Sequence, residues 1–193
     1  MARPRAFDEE AALERALRVF WTKGYGAASL DDLCAATGLG RSSLYAAFRD
    51  KRGLYLRALD RYEEASARRL NEILTRPVPA RQAIAAFVAA LIDDIVAGPG
   101  RRGCFIGNCA AELAPGDRET AASVRRSLTR IEAAFRDALA RARARGELSD
   151  RVDPAATARF LTAGIQGLRL VGKANPDRAA LEDVAATMLR CLD

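Results

Sequence analysis

The chain has 193 residues, half of them hydrophobic, and its 31 Lys and Arg against 25 Asp and Glu leave a formal net charge of +6. That length supports one small and one mid-sized helical unit, and the basic balance suits a polyanionic partner, because each cation placed on a phosphate releases counterions. The absence of histidine excludes a His-based catalytic triad and mixed Cys/His zinc sites, and Cys34, Cys104, Cys109 and Cys191 are too scattered for a metal site or a disulfide scaffold.

No apolar run approaches the ~20 residues needed to cross a bilayer, and the N-terminus lacks the apolar stretch of a secretion signal. A cytoplasmic protein without metal or cofactor is therefore expected. Hydrophobic spacing predicts an all-α chain of about nine helices, with almost nothing that reads as strand.

In chain order, Arg3-Pro4-Arg5 reads either as a basic arm for a minor groove or as a plain terminus. Asp8, Glu9 and Glu10 place negative charge at the start of a helix whose buried stripe is Leu13, Leu17 and Phe20, running to Gly24. Ser29 and Asp32 then make a capping box. Leu30, Leu33 and Ala36 form the apolar side of the helix it opens, and Gly38 suits its left-handed end. After a turn over 37–40, Leu44 and Phe48 face inward while Arg41, Ser42, Ser43 and Tyr45 face outward. Two short helices around a glycine turn are common in helical proteins. The outward row of hydrogen-bonding side chains, one of them cationic, is what points to a helix-turn-helix whose second helix reads a major groove.

Asp50 caps a fourth helix in which Leu54, Ala58, Leu59, Tyr62, Ile73 and Leu74 carry the apolar side to about Thr75. Arg76-Pro77-Val78-Pro79 stops it. This rod is long enough to join two units, a DNA-binding one over 1–55 and a C-terminal helical one over 56–193, for which the resemblance described below implies effector binding and dimerisation. Ile84, Phe87, Val88, Leu91, Ile92 and Ile95 mark a fifth helix ended by Gly98-Pro99-Gly100, and a short helix spans 104–113. Asp117 caps a longer one with Val124, Leu128, Ile131, Phe135, Leu139 and Ala142 spaced for shallow helix crossing, ended by Gly146. Its Arg141, Arg143 and Arg145 suit the negative end of a helix dipole.

Asp153-Pro154 opens a helix carrying Phe160, Leu161, Ile165, Leu168 and Val171. Gly164 and Gly167 cost that helix about 1 kcal/mol each relative to alanine, which close approach of another helix would offset. From an Asp177 cap, Leu181, Val184, Met188 and Leu192 mark the last helix. A monomer would leave too much of these two faces wet.

Phe20-Trp21-Thr22-Lys23-Gly24-Tyr25, together with Gly38-Leu39-Gly40 and the Arg41-Ser42-Ser43-Leu44-Tyr45-Ala46-Ala47-Phe48-Arg49-Asp50-Lys51 run, resembles the TetR family of transcriptional regulators. The match covers residues 7–60. The resemblance implies a repressor bound to a palindromic duplex operator, homodimeric through its last two helices and released by an inducer in the C-terminal domain. Residue by residue it implies base and phosphate contact by Arg41, Ser42 and Ser43, and phosphate contact by Tyr45 and Lys51. Ser29, at a helix N-terminus, is implied as a further phosphate contact. Arg52-Gly53 departs from the family's helix-favouring residues and predicts a loose start to the fourth helix.

Arg101-Arg102-Gly103-Cys104 places a thiol at a helix N-terminus beside two guanidinium groups, a setting that favours thiolate. Gly103-Cys104-Phe105-Ile106-Gly107-Asn108 resembles a TetR subgroup in which some members sense reactive compounds through a cysteine here, and Lys173 is expected near it. The alternative for Cys104 is a small core hydrophobe. Non-covalent induction would instead use an apolar pocket lined by Phe87, Leu91, Phe105, Phe135 and Phe160, with Asn108 or Gln166 for polarity. Two readings outside regulation remain: a thiol-dependent helical enzyme recruiting Asp93, Asp94 or Glu112 as acid or base, and a helical ligand-binding or interaction module that has lost DNA binding.

Overall fold

The computed structural model describes residues 8–193, the side chains of residues 99 and 100 excepted; the Arg3-Pro4-Arg5 segment lies outside the described residues. Among these, the chain forms α1 (Glu9–Ala27), α2 (Leu30–Thr37), α3 (Arg41–Phe48), α4 (Lys51–Leu74), α5 (Ala80–Val96), α6 (Phe105–Glu112), α7 (Arg118–Ala144), α8 (Pro154–Ala174) and α9 (Arg178–Leu189), with 3-10 turns over Pro99–Arg102 and Arg190–Leu192 and no strand. None of the helices is long and apolar enough to cross a membrane.

Most helices start where a short acidic or hydroxyl side chain takes up an orphan backbone N–H. Asp8 accepts from Ala11, Asp50 from Gly53, Asp117 from Thr120 and Asp153 from Ala155. The Ser29–Asp32 capping box is complete in both directions, and Gly38 ends α2 in the left-handed region at φ 74°.

Two apolar clusters make the core. One joins Leu13, Leu17 and Phe20 of α1 to Leu33, Leu44, Phe48, Leu54, Tyr55 and Leu59, and is closed from below by Phe105, Ile106 and Cys109 of α6. The other gathers Ile84, Val88, Ile92 and Ile95 of α5 with Phe135, Leu139, Leu161, Ile165, Leu168, Leu181 and Met188. Helix α4 runs through both, with Leu59 in the first and Leu70, Ile73 and Leu74 in the second. Helix α6 therefore packs into the N-terminal cluster, although its residues lie far along the chain.

The start of α4 is tight rather than loose. Asp50 Oδ1 accepts from Gly53 N at 2.7 Å, a Cβ on residue 53 would collide with the Phe48 carbonyl oxygen, and Arg52 pairs with Asp117 at 2.6 Å. Glycine is required there because the backbone of α3 passes too close for a side chain.

The two α8 glycines also separate. At Gly164 a Cβ would lie 2.5 Å from Met188 Cε of α9 in the same chain, whereas at Gly167 it would meet nothing within 4 Å. Phe160, Leu170, Val171 and Val184 are 48%, 71%, 54% and 47% exposed. The inward stripe of α8 is Leu161, Ile165 and Leu168, so its other apolar residues fall on the opposite face.

Candidate nucleic-acid interface and effector cavity

Leu44 and Phe48 are buried and pin α3 to the N-terminal cluster, which leaves Arg41, Ser42, Ser43 and Tyr45 exposed along one side. Arg41 Nη2 lies 2.7 Å from Asp31 Oδ1, which links the front of α3 to the first turn of α2. Lys51 Nζ sits 4.5 Å from the Tyr25 ring centroid, and Ser29 remains exposed while it caps α2. Lys23 binds Asp32 at 2.6 Å. Hydrogen bonds from Lys23 and from Ser29 hold the Asp32 carboxyl down at about 2, so the capping box stays ionised across the physiological range.

Behind this face, α1 breaks at Gly24, whose φ of 80° and ψ of 173° fall outside the helix. The Glu112 carboxylate at the end of α6 fills that break, accepting from Tyr25 N at 3.0 Å and Gly26 N at 2.8 Å. A Cβ on residue 24 would come within 2.7 Å of Glu112 Oε2, so the glycine serves both the turn and the close approach. Arg52 adds a second tie, bridging the start of α4 to Asp117 and Glu119.

A cavity of about 320 Å³ lies between α1, α4, α5, α7, α8 and the N-terminal end of α6. Of the residues expected to form the effector site, the structure brings Cys104, Phe87, Leu91 and Gln166 to its wall. Phe105 instead packs edge-on against Tyr55 and Tyr62. Phe135 is fully buried, its ring edge-on to Phe87, and Phe160 faces outward on α8. Asn108 donates to the Arg102 carbonyl at 3.0 Å and accepts from Lys173 Nζ at 3.4 Å. Lys173 thereby lies over Gly103, its Cδ 3.2 Å from where a Cβ would stand.

Among the wall residues that escaped the sequence reading as parts of a site are Trp21, Tyr62, Glu63 and Arg169. Cys104 is 6% exposed at the N-cap of α6. The Tyr62 hydroxyl donates toward its Sγ at 3.8 Å, and Arg169 Nη1 donates to the same hydroxyl oxygen at 3.0 Å. Burial pushes the Tyr62 phenol up to about 12, so it remains a neutral O–H donor. Burial also raises Glu63, against a hydrogen bond from Ser127 that lowers it. The Cys109 thiol, held up at about 12 by burial, behaves as core.

Among the described residues the buried side-chain atoms without a hydrogen-bond partner are Trp21 Nε1, Tyr55 Oη, Glu63 Oε1 and Arg169 Nε. Three of the four belong to residues that line this cavity. The sequence did hold one signal for Arg169, a cation adjoining Leu168 in the inward stripe of α8, where an aliphatic residue would pack better. The acids suggested for an enzyme are held by partners: Asp93 pairs with Arg178, Asp94, at the cavity wall, pairs with Arg69, and Glu112 accepts from backbone N–H groups of α1.

Residues 12–58 match the family profile described as bacterial regulatory proteins, tetR family, and residues 80–188 match the one described as tetracyclin repressor-like, C-terminal domain. The chain is 32% identical to the HTH-type transcriptional repressor ComR of Escherichia coli over 97% of its own length and 90% of that protein. It is 33% identical to the HTH-type transcriptional regulator YezE of Bacillus subtilis over the whole of both chains. Its fold superposes with a TM-score of 0.89, at 30% identity and over the whole of both chains, on a cysteine-mutant form of the TetR family regulator CifR complexed with 26-base-pair double-stranded operator DNA. With a helix-turn-helix built on Ser29–Asp32, Gly38 and Leu44, and matching profiles on both halves, the chain belongs to the TetR family of transcriptional regulators.

Proposed function

We propose that this protein is a dimeric repressor, working in the cytoplasm, that holds a palindromic operator through α3 and lets go when the cavity beside Cys104 is filled or its thiol is modified. Arg41, Ser42 and Ser43 contact base edges and phosphates, while Tyr45, Lys51 and the Ser29 end of α2 contact phosphates. The DNA-binding unit is residues 1–55 and the effector and dimerisation unit is 56–193, with α4 shared between them.

The observation that carries the effector reading is the grouping of unpartnered polar atoms at one cavity. A buried polar atom without a partner costs about 1–3 kcal/mol, and such atoms are few in a native fold. Their collection around one hollow, which also has Leu70, Phe87, Leu91 and Ile165 in its wall, suits a site that a ligand completes. Filling the hollow displaces Cys104, and with it α6. Glu112 at the far end of α6 then pulls on Tyr25 and Gly26 beside the helix-turn-helix.

Dimerisation through α8 and α9 is supported by the exposed Phe160, Leu170, Val171 and Val184 and by the open space at Gly167. Two recognition helices must sit about 34 Å apart to enter successive major grooves, so a small tilt of each N-terminal unit is enough to lose the operator.

Selection of bound sequences from a random duplex pool tests this reading. A palindromic motif is expected, with affinity falling steeply as salt rises. Flat binding across salt and sequence would overturn it in favour of a module that does not read DNA.

A further inference from the structure

The Tyr62 hydroxyl is the meeting point of two cavity-lining groups. It receives a hydrogen bond from Arg169 Nη1 at 3.0 Å, which commits its own hydrogen to a direction away from the guanidinium, and that hydrogen points toward Cys104 Sγ at 3.8 Å. Arg169 brings a second donor, since its Nε is buried and makes no hydrogen bond in the protein. A phenol O–H and a guanidinium beside a cysteine sulfur, in a hollow also walled by Leu70, Phe87 and Ile165, reproduce the donor arrangement that stabilises negative charge developing on oxygen.

We propose that Tyr62 and Arg169 are specificity residues that direct Cys104 toward conjugated carbonyl compounds, small enals and enones, by receiving the carbonyl oxygen as the thiol adds. The inference rests on the reading of Cys104 as a sensor and names the chemical class it senses.

The step is redox-neutral and has no leaving group. Cys104 sulfur, its proton lost to water, forms a bond to the β-carbon. The alkene π pair moves to join the α-carbon to the carbonyl carbon, and the carbonyl π pair moves onto oxygen. That enolate oxygen accepts hydrogen bonds from Tyr62 Oη–H and from the Arg169 guanidinium. Water then protonates the α-carbon, which restores the carbonyl and balances the proton that the thiol gave up. Displacement of iodide from iodoacetamide by the same sulfur places no comparable charge on oxygen and gains little from the two donors.

Full-length protein is treated separately with methyl vinyl ketone and iodoacetamide, and modification is followed peptide by peptide by mass spectrometry, with Cys191 as the internal reference. The ratio of the methyl vinyl ketone rate to the iodoacetamide rate at Cys104 is expected to exceed that at Cys191 by about tenfold or more, a lower bound set against the ~100-fold or greater effect of a single oxyanion donor in an enzyme. Tyr62→Phe is expected to bring the two ratios together while leaving the iodoacetamide rate at Cys104 within about twofold. Arg169→Met is expected to act in the same direction. Equal ratios at Cys104 and Cys191 in the unsubstituted protein would overturn the proposal, as would a Tyr62→Phe protein in which both reagents slow alike. If Arg169→Met does not fold, Tyr62→Phe alone decides, since it deletes one oxygen and keeps the ring packed on Trp21 and Phe105. Operator release is read separately by anisotropy on the alkylated samples, so a selective thiol that fails to release DNA counts against the sensor reading and not against the selectivity.

Discussion

The face proposed to read DNA and the cavity proposed to sense an effector are built on different scales of the chain. The first is held by neighbours in sequence: Ser29 caps through Asp32, Gly38 turns the chain, and Leu44 and Phe48 anchor one short helix. The second draws Trp21 from α1, Tyr62 and Glu63 from α4, Cys104 beside α6 and Arg169 from α8. A locally specified surface has its polar groups satisfied or wet. An assembled cavity keeps several unpartnered, as a site does when stability is given up for binding. The contrast teaches where substitutions should weaken the fold and where they should strengthen it.

The sharpest way to break the comparison is Leu44→Ala. Removing a fully buried leucine from the small cluster under α3 is expected to cost about 2–5 kcal/mol, lowering the unfolding midpoint of the N-terminal unit and abolishing operator binding. Unchanged thermal unfolding would show that α3 does not depend on that anchor. Next in size, Leu170→Glu on the exposed face of α8 should convert the proposed dimer to monomer in sedimentation and reduce operator affinity roughly 100-fold, as expected when two linked contacts become one. A dimer that persists would remove α8 from the interface.

Glu63→Leu carries the opposite sign. Deleting a buried carboxyl with an unpartnered oxygen should raise the stability of the unliganded protein, by about 1–3 kcal/mol if the full desolvation cost is recovered. Burial raises Glu63 above its ordinary 4.5 in the folded chain. Stability is therefore fullest below 4.5 and is lost as pH rises from there through the higher folded value, because the unfolded carboxyl ionises before the folded one. The advantage of Glu63→Leu in thermal unfolding should grow from below pH 4.5 toward neutrality. A destabilised variant would mean the carboxyl is structural. The smallest effect belongs to Ser29→Ala, about 1 kcal/mol for a lost helix cap, confined to the N-terminal unit in hydrogen exchange. Protection lost equally around α8 would contradict the local character of that end.

Much of the architecture was legible in the sequence because each helix carries its own start and stop signals: Asp8, Asp50, Asp117, Asp153 and Asp177 open helices in the structure as their spacing to apolar residues predicts. The cavity was legible only in part. Phe87 and Leu91 were found through the α5 stripe, and Cys104 through its neighbours. Phe160 and Phe135 were drawn in because aromatic character says nothing of which way a helix turns once packed. Tyr62 read as plain core, since its role depends on Arg169 and Cys104, which arrive from elements the chain reaches only later. Gly53 read as a weakness because its need, the nearby Phe48 carbonyl, is tertiary. Glu112 was read only as a candidate acid or base, because the two backbone N–H groups that the Gly24 break sets against it are likewise tertiary.

The central claim is that the cavity end commands the DNA end through α6, and it is tested by measuring affinity for the selected operator before and after stoichiometric alkylation of Cys104 with methyl vinyl ketone. The unsubstituted protein should lose affinity at least tenfold on alkylation, and Glu112→Ala, which cuts the tie between α6 and α1, should lose distinctly less. Equal operator affinity for the alkylated and unmodified protein would contradict the account.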